Sequence, residues 1–450
     1  MENKVIHRRR VRSAIADKGL EISQRIAERL VDPIQIKEIV ERPDNVSVMG
    51  ATPWGDTSLS HGYPATVLFF SQWDRYEPDQ KWDYKGHAHI VEMQRALESN
   101  GIGSISLFGG LTGVAFACQA ASREGERYGN FLKVIHSKIA QETKRFIEGD
   151  NTRRKSEVGL SPKVYDVISG LSGIGRYALN HPHHDELNDV LEQTLHHLVE
   201  VSHDIEVDHH TVPGWYIPQQ YQFMEREKEL FPKGNFNCGL AHGIPGPLVL
   251  LSLASLRGYR VDGQLEAIQR MSDWLVKRAY QDRYGVLWSD RIRFEEEVSR
   301  KPSQKYFSRE AWCYGAPGVA RSLYLAGMAL GDEELKKLAI QAVKSSFMRP
   351  EELSKLESAT FCHGKSGILQ ILLRMAKDTG EEIFVKHAEL MAKEIIDMFQ
   401  GESPFGYQDL EGGRGLNKAG LLEGVSGIGL SLMSLSEKQD ADWDAAFLIS

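Results

Sequence analysis

Hydrophobic and polar residues define two alternating kinds of segment along this chain. One kind is amphipathic with helical spacing: in residues 263–280, Leu265, Ile268 and Met271 share one face and charged residues fill the others. The other kind is rich in small and apolar residues throughout, as in residues 248–256. Each small-residue segment follows an amphipathic one, so the pattern predicts a series of helical hairpins. The amphipathic halves are predicted at residues 88–97, 130–147, 186–201, 263–280, 333–347 and 381–399.

A short glycine motif opens each small-residue segment. The sixth copy reads Gly364-Lys365-Ser366-Gly367, and every copy has a serine, threonine or proline two residues after its first glycine. These residue types suit the first turn of a helix, and small residues allow helix starts to approach closely. The motifs therefore predict seven helix starts, which follow Gly62, Gly110, Gly170, Gly243, Gly315, Gly364 and Gly424.

Seven hairpins placed side by side leave two uncovered ends unless the array closes. The crowded inner helix starts favour closure, so the predicted fold is all-α, a seven-hairpin (α/α)7 toroid in a single domain over residues 1–450. An open α-solenoid is the competing architecture. Residues 204–238 and 283–311 depart from the helical pattern and contain prolines or short alternations. They predict insertions of loops and short strands, which are candidate walls of a binding cleft.

Composition narrows the class of protein. Of 450 residues, 41% are hydrophobic and 26% charged, which excludes a long disordered chain. The net charge of −8, from 54 basic and 62 acidic residues, gives no bias towards nucleic acid. No apolar run reaches the ~18 residues of a membrane span, and the basic cluster at residues 7–12 lacks the apolar core of a secretion signal. Four cysteines are too few for a disulfide framework, which indicates a reducing compartment.

Two of the cysteines occupy the same position of consecutive repeats. Cys313 lies two residues before Gly315, Cys362 lies two residues before Gly364, and His363 follows Cys362 directly. Equivalent ends of packed helices, ~8–10 Å apart, can direct both sulfur atoms at one point. Two thiolates and an imidazole suit zinc, and three protein ligands leave a coordination position open for a substrate. The alternative interpretation is two small buried cysteines at crowded helix starts.

Other polar residues share this end of the predicted helices. His242 directly precedes a repeat glycine, and a neutral imidazole there suits proton transfer. Asp166, in the third repeat, is placed to orient His242 or to share a proton with it. The alternatives are a histidine bonded to a loop and an aspartate that caps a helix. His61 belongs to a repeat away from these and is interpreted as structural, while Cys118 and Cys238 are expected to pack in the core.

Taken together, these motifs resemble those of the lanthionine cyclases, the LanC family. The resemblance extends from the first repeat to residues 443–444 and is carried by residues 165–173, Gly239-Leu240-Ala241-His242-Gly243, Trp312-Cys313-Tyr314-Gly315 and Cys362-His363-Gly364. It implies a seven-hairpin α/α toroid with one zinc ion at one mouth, which agrees with the architecture predicted from the repeats.

The resemblance also assigns roles to individual residues. The zinc ligands that it implies are Cys313, Cys362 and His363. The catalytic residues that it implies are His242, Asp166, Arg309 and Tyr314. Two roles stay open: Arg309 pairs with Asp166 or stabilises a developing enolate oxygen, and His242 acts as acid, base or both.

The activity implied by the resemblance is a zinc-dependent cyclisation. A cysteine thiolate of a precursor peptide adds to a dehydroalanine or dehydrobutyrine of the same peptide, giving the (methyl)lanthionine rings of lantibiotics. About 60 residues precede the first repeat, too few for a dehydratase domain of ~100 residues or more, so a stand-alone cyclase is expected.

The resemblance further implies partners and a location. The expected partners are the dehydrated precursor peptide, with leader and core, a separate dehydratase and an ABC exporter at the cytoplasmic face of the membrane. Residues 204–238 are the candidate peptide-binding insertion, in which Trp215 and Tyr221 are expected to be exposed aromatic residues of the cleft wall. The alternative is a eukaryotic-type LanC-like protein that binds glutathione or acts as a scaffold. A glycosidase ranks last, because it would need two convergent acids and only Asp166 is well placed.

Overall fold

The computed structural model describes residues 11–301, 307, 309–436 and 442–450, so most of the basic cluster at residues 7–12 lies outside the described part. The chain divides into two compact units. Unit 1 consists of Met1–Ile102, Gly113–Gly129 and Leu356–Asp444. Unit 2 consists of Gly103–Thr112, Asn130–Lys355 and Ala445–Ser450.

Helices account for most of the regular structure. In chain order they are α1 (Ser13–Arg29), α2 (Pro33–Val40), α3 (Tyr63–Tyr76), α4 (Trp82–Asn100), α5 (Leu111–Ala120), α6 (Gly129–Arg153), α7 (Pro162–Tyr165), α8 (Leu171–Ala178), α9 (Asp185–Val201), α10 (Glu225–Leu230), α11 (Pro245–Leu256), α12 (Gln264–Arg278), α13 (Phe294–Ser299), α14 (Ala316–Leu330), α15 (Glu333–Ser346), α16 (Glu351–Ser354), α17 (Lys365–Thr379), α18 (Glu382–Asp397) and α19 (Val425–Met433). Among the described residues, no helix has both the length and the apolar character needed to cross a membrane.

The strands are short and form antiparallel pairs. They are β1 (Asp204–Val207), β2 (His210–Pro213), β3 (Asn235–Asn237), β4 (Tyr280–Asp282), β5 (Gly285–Leu287), β6 (Arg291–Arg293), β7 (Asp409–Glu411) and β8 (Arg414–Leu416). The pairs are β1 with β2, β3 with β6, β4 with β5, and β7 with β8.

The predicted helix starts are confirmed. Helices α3, α5, α8, α14, α17 and α19 begin at the residue after their repeat glycine, and α11 begins two residues after Gly243. The predicted amphipathic segments are confirmed as α4, α6, α9, α12, α15 and α18. In α12 the side chains of Ile268, Met271 and Leu275 are fully buried, and such burial stabilises by about 1.5–3 kcal/mol per side chain.

Backbone crowding explains the repeat glycine. A Cβ on Gly364 would lie 2.4 Å from the carbonyl oxygen of Ser358 and 2.6 Å from that of Thr360, so no side chain fits. The serine or threonine two residues later bonds back to the same loop. Its hydroxyl donates to the carbonyl seven residues earlier, in the pairs Thr112–Ile105, Ser172–Tyr165, Ser366–Ala359 and Ser426–Ala419. The motif thus forms a tight loop that ends in a helix start.

Unit 1 contains three of these helix pairs. Helix α3 packs with α4, α17 with α18, and α19 with the N-terminal helix α1. Helix α1 was not predicted from the sequence. Its buried residues are spaced as on one helix face, Gly19, Ile22, Ser23, Ile26 and Ala27, and Ser23 donates a hydrogen bond to Gly429 O (2.9 Å) in α19. An early helix therefore supplies the outer partner of the last inner helix.

Unit 2 contains the pairs α8 with α9, α11 with α12 and α14 with α15, and α11 contacts both α8 and α14. The two predicted insertions meet in this unit, because β3 pairs with β6 in the register Phe236↔Ile292. Their loops and short strands are confirmed. The expectation that Trp215 is an exposed cleft residue is wrong: it is fully buried and packs edge-on against Trp274 at 5.5 Å.

Candidate functional site

The loops before the inner helices are joined by backbone hydrogen bonds. These bonds involve the residue two positions before each repeat glycine. Both candidate cysteine ligands have this position. The bonds run from Phe108 N–H to Ile168 O (3.3 Å) and Ala241 N–H to Cys313 O (3.3 Å) in unit 2, and from Cys362 N–H to Leu422 O (2.8 Å) and Leu422 N–H to Ser60 O (3.2 Å) in unit 1. Equivalent positions of neighbouring repeats are therefore in direct contact within each unit, as the repeat argument requires.

A group of potential metal ligands lies in unit 1. Cys362, His363 and Glu423 each offer one ligand atom, and these atoms lie within 4.8 Å of one another. His363 Nδ1 is 3.7 Å from Glu423 Oε1, and its Nε2 is 3.6 Å from Asp409 Oδ1. The imidazole thus lies between two carboxylates, and its side chain is 21% exposed. Sequence reasoning missed Glu423, although it directly precedes Gly424 as His363 precedes its own repeat glycine.

A buried lysine neutralises part of the negative charge beside this group. Lys418 Nζ bonds to Asp409 Oδ2 (2.9 Å), Glu411 Oε1 (2.5 Å) and Glu423 Oε2 (2.8 Å). Burial opposes the charged forms, but these pairings outweigh it: the pKa of Lys418 is raised and that of Asp409 is held well below its usual range. Three carboxylates and one ammonium leave a formal charge of −2 at this end of unit 1.

His61 lies closer to this cluster than its place in the first repeat predicted. Burial lowers its pKa, and the nearby charges that act on it include Glu423 and Lys418. The first and seventh repeats are joined by the bond from Leu422 N–H to Ser60 O (3.2 Å), which explains the proximity. His61 therefore belongs to the surroundings of the candidate ligands in unit 1.

A hydrogen-bonded histidine and aspartate lie in unit 2. His242 Nδ1 is 2.6 Å from Asp166 Oδ2, and the aspartate is fully buried whereas the histidine side chain is 26% exposed. Asp166 Oδ1 accepts the backbone N–H groups of Ser169 (2.6 Å) and Gly170 (2.8 Å). Asp166 is thus both a cap of the third-repeat loop and the partner of His242. This pairing fixes one ring nitrogen of His242 and leaves the other for proton transfer.

An aromatic side chain of the first insertion lies against this pair. The ring of Phe223 is 4.8 Å from the ring of His242, and Phe223 itself is 40% exposed. Residues 204–238 therefore do reach the candidate catalytic histidine, through Phe223 rather than through the buried Trp215.

Tyr314 is held by two side chains that sequence reasoning did not identify. Its hydroxyl accepts a hydrogen bond from Asn237 (3.2 Å), and the Arg291 guanidinium lies 4.8 Å from its ring centroid. Burial raises the pKa of Tyr314 to about 12, against the opposing charge of Arg291, so the phenol stays protonated at neutral pH. Within the described residues Arg309 makes no ion pair with Asp166, whose oxygens bond to His242 and to backbone N–H groups instead.

The cysteines divide between the two units. Cys362 and His363 belong to unit 1, and Cys313, which is 7% exposed, belongs to unit 2. The set of three ligands therefore stays a prediction. Burial raises the pKa of Cys118 to about 12 and that of Cys238 well above its usual range, which agrees with their interpretation as core residues.

The chain belongs to the lanthionine synthetase C-like protein family, whose sequence model matches residues 53–448. It is similar to the nisin biosynthesis protein NisC of Lactococcus lactis subsp. lactis, with 26% identity over 385 residues, which is 84% of this chain and 85% of that protein. Among solved structures it is similar to nisin cyclase, with a TM-score of 0.78 and 25% identity over 95% of this chain and 97% of that one. The predicted fold class, a helical toroid, is confirmed by this likeness.

Proposed function

We propose that this protein is a zinc-dependent lanthionine cyclase with one catalytic domain. Family membership supports the activity, as does the likeness to nisin cyclase. The observation that carries the proposal is the chemistry found in the loops before the inner helices. A thiol and an imidazole converge there with a carboxylate in unit 1, and an aspartate fixes a histidine in unit 2.

The proposed ligands of a single zinc ion are Cys313, Cys362 and His363. The donor types fit: thiolate and imidazole are preferred by zinc, and Cys362 and His363 lie in a group whose ligand atoms are within 4.8 Å. Cys313 is included because it has the repeat position of Cys362, two residues before the glycine. Zinc bound by these residues would lower the pKa of a substrate cysteine thiol, so that its thiolate forms at neutral pH.

In the proposed reaction, the peptide thiolate adds to the β-carbon of a dehydroalanine or dehydrobutyrine. A carbon–sulfur bond forms, the carbon–carbon double bond is lost, and the α-carbon of the resulting enolate takes up a proton. Asp166 orients His242 through Nδ1, so the other ring nitrogen is available to remove the thiol proton or to protonate the α-carbon. The proton that the thiol loses is therefore balanced by the proton that the α-carbon gains.

Negative charge on the enolate oxygen needs hydrogen-bond donors or a cation. We assign this role to Tyr314 and Arg309. The neutral phenol of Tyr314 is a donor at neutral pH, and Arg291 adds a positive charge beside it. We assign Arg309 to stabilisation of the enolate oxygen rather than to an ion pair with Asp166. The carboxylate of Asp166 already bonds to His242 and to two backbone N–H groups.

The proposed substrate is a dehydrated precursor peptide with a leader and a core, gripped in part by residues 204–238. Its dehydrated residues require a dehydratase, and we propose that this enzyme and an ABC exporter are partners. The proposed location is cytoplasmic, at the inner face of the membrane.

Cyclisation of a synthetic peptide tests the function. The full-length protein, loaded with zinc, is incubated with a peptide that carries a dehydroalanine, a short spacer and a cysteine. Loss of free thiol without change of mass is followed by alkylation and mass spectrometry. The protein should accelerate ring formation over the uncatalysed reaction, and His242→Asn should not. Rates equal to those without enzyme would contradict the proposal, and addition of supplied glutathione in place of ring closure would favour the glutathione-binding alternative.

A further inference from the structure

Asp409 is a buried carboxylate that is held from several sides. It is 2% exposed, its Oδ1 accepts a hydrogen bond from Ser358 (2.9 Å), and its Oδ2 accepts one from Lys418 (2.9 Å). Its backbone is fixed as well, because Asp409 pairs with Leu416 in the β7–β8 hairpin. These contacts hold the carboxylate in place, and its Oδ1 faces His363 Nε2 at 3.6 Å.

The two nitrogens of His363 face different carboxylates. Nε2 faces Asp409, whereas Nδ1 faces Glu423 Oε1 at 3.7 Å. Glu423, and not Asp409, shares with Cys362 and His363 the group of ligand atoms that lie within 4.8 Å of one another. A metal-binding histidine usually donates its second ring N–H to a carboxylate, which fixes the tautomer and the ring orientation. Asp409 is in the place of that acceptor, which assigns Nδ1, on the Glu423 side, to the metal.

Lys418 connects the two carboxylates that flank the imidazole. It bonds to Asp409 and Glu423 and also to Glu411, so one ammonium group holds three carboxylates. The remaining formal charge of −2 suits a divalent cation beside the cluster. A lysine already lies among the three carboxylates, so the metal is expected on the Cys362 side of His363 and not among Asp409, Glu411 and Glu423.

We propose that Asp409 is a positioning residue: it accepts the Nε2–H of His363, which directs Nδ1 to the metal, and Lys418 fixes Asp409 relative to Glu423. This assignment rests on the metal site of the proposed function and not on the cyclisation reaction. Asp409, a buried residue of the β7–β8 hairpin, thus supports the candidate ligands Cys362 and His363 of the sixth repeat.

Zinc affinity of the full-length protein tests the assignment, with Asp409→Asn as the main variant. Asn keeps the size of the side chain but cannot act as a charged acceptor, so zinc should bind about 10- to 100-fold more weakly. Glu411→Gln is the matched control. It removes another carboxylate of Lys418 and leaves in place Asp409 and Glu423, which flank His363, so zinc affinity should stay within about threefold of the wild type. Zinc affinity is measured by competition with a chromophoric chelator, and thermal melting checks that both variants fold.

A second measurement separates positioning from general destabilisation. Co²⁺ replaces zinc, and its d–d absorption reports the ligand geometry; the bands should shift in Asp409→Asn and stay as in the wild type in Glu411→Gln. Equal zinc affinities of the wild type and Asp409→Asn, or equal losses in both variants, would overturn the positioning role and leave the metal site in place. A wild-type chain that binds no zinc would overturn the metal site and this assignment together, without touching the Asp166–His242 pair.

Discussion

Replacing Asp166 by asparagine should change which ring nitrogen of His242 carries the proton. Oδ1 of Asp166 accepts two backbone N–H groups, from Ser169 (2.6 Å) and Gly170 (2.8 Å), and these require an oxygen in the variant too. The amide NH₂ of the new side chain must then face His242 Nδ1, where the carboxylate oxygen stood at 2.6 Å. An amide donor there forces Nδ1 to accept, so the proton moves to the other nitrogen.

The magnitude follows from the role of a positioned acid or base. Such a group contributes about 10²- to 10⁴-fold to the rate, and Asp166→Asn should lose a similar factor because its histidine is in the wrong tautomer. His242→Asn removes the group itself and should lose about the same. The two residues act as one unit, so the double variant should be no slower than His242→Asn alone, instead of losing the product of both factors. Zinc content should be unchanged in all three.

The assay is single-turnover ring formation with the synthetic peptide, followed by alkylation and mass spectrometry, with zinc measured on the same samples. Asp166→Ala serves as a structural comparison, because it also removes the acceptor of the two backbone N–H groups and should cost about 1–3 kcal/mol of stability. Rates that multiply in the double variant would refute the coupled role of the pair. Full activity of Asp166→Asn would refute its orienting role. Zinc loss in His242→Asn would make that histidine a ligand.

Further substitutions test other parts of the structure. Cys362→Ala should abolish zinc binding, and Cys118→Ala should not, because that sulfur is fully buried in α5; metal analysis decides, and equal zinc in both variants would contradict the ligand assignment. Burial lowers the pKa of His89 to about 4 from the usual 6.5, so stability should fall as the pH drops from about 6.5 to about 4, because the unfolded state takes up the proton first. Between pH 6.5 and pH 4 the free energy of unfolding, measured with urea, should change by up to about 3 kcal/mol less in His89→Leu than in the wild type. An equal change in both proteins would show that the burial of His89 is not the source of the pH dependence. Trp215→Ala should cost about 3–5 kcal/mol in the same assay, since the side chain is fully buried. Phe223→Ala should leave stability nearly unchanged and weaken binding of the precursor leader, measured by calorimetry. An unchanged affinity would show that residues 204–238 do not bind the leader through Phe223.

Features of the repeat were predictable from the sequence because the same motif occurs seven times in the chain. The glycine motif marked the start of every inner helix, since its cause is local: the loop leaves no room for a Cβ. Cys362 was correctly placed at the contact between neighbouring repeats, because it has the repeated position two residues before the glycine. Helix α1 was missed although its apolar residues are spaced as on a helix face, because it precedes the first motif and its partner α19 is at the other end of the chain.

Features formed by a single long-range contact were not predictable. Asp409 lies in the β7–β8 hairpin, far along the chain from His363 of the sixth repeat, and nothing local indicates that these two side chains face each other. Asn237 and Arg291 come from different insertions, and the pairing of β3 with β6 places them opposite each other beside Tyr314. Trp215 was misjudged for a related reason. Aromatic residues in a proline-rich segment indicate an insertion, but which of them faces inward depends on what packs against it.

The glycine before α17 offers a direct test of this local cause, because it also follows both candidate ligands of unit 1. In Gly364→Ala the new Cβ would stand 2.4 Å from Ser358 O and 2.6 Å from Thr360 O, and neither backbone atom can move without shifting the loop. The variant should lose about 1–3 kcal/mol of stability. Gly401→Ala is the control, since a Cβ there meets nothing within 4 Å, and it should change stability by less than about 0.5 kcal/mol. Urea unfolding with chelator present measures stability without a metal contribution, and zinc binding is measured separately. Zinc affinity should fall in Gly364→Ala because the displaced loop carries Cys362 and His363. Equal stability of the two variants would show that the loop yields easily, and the repeat glycine would then need another explanation.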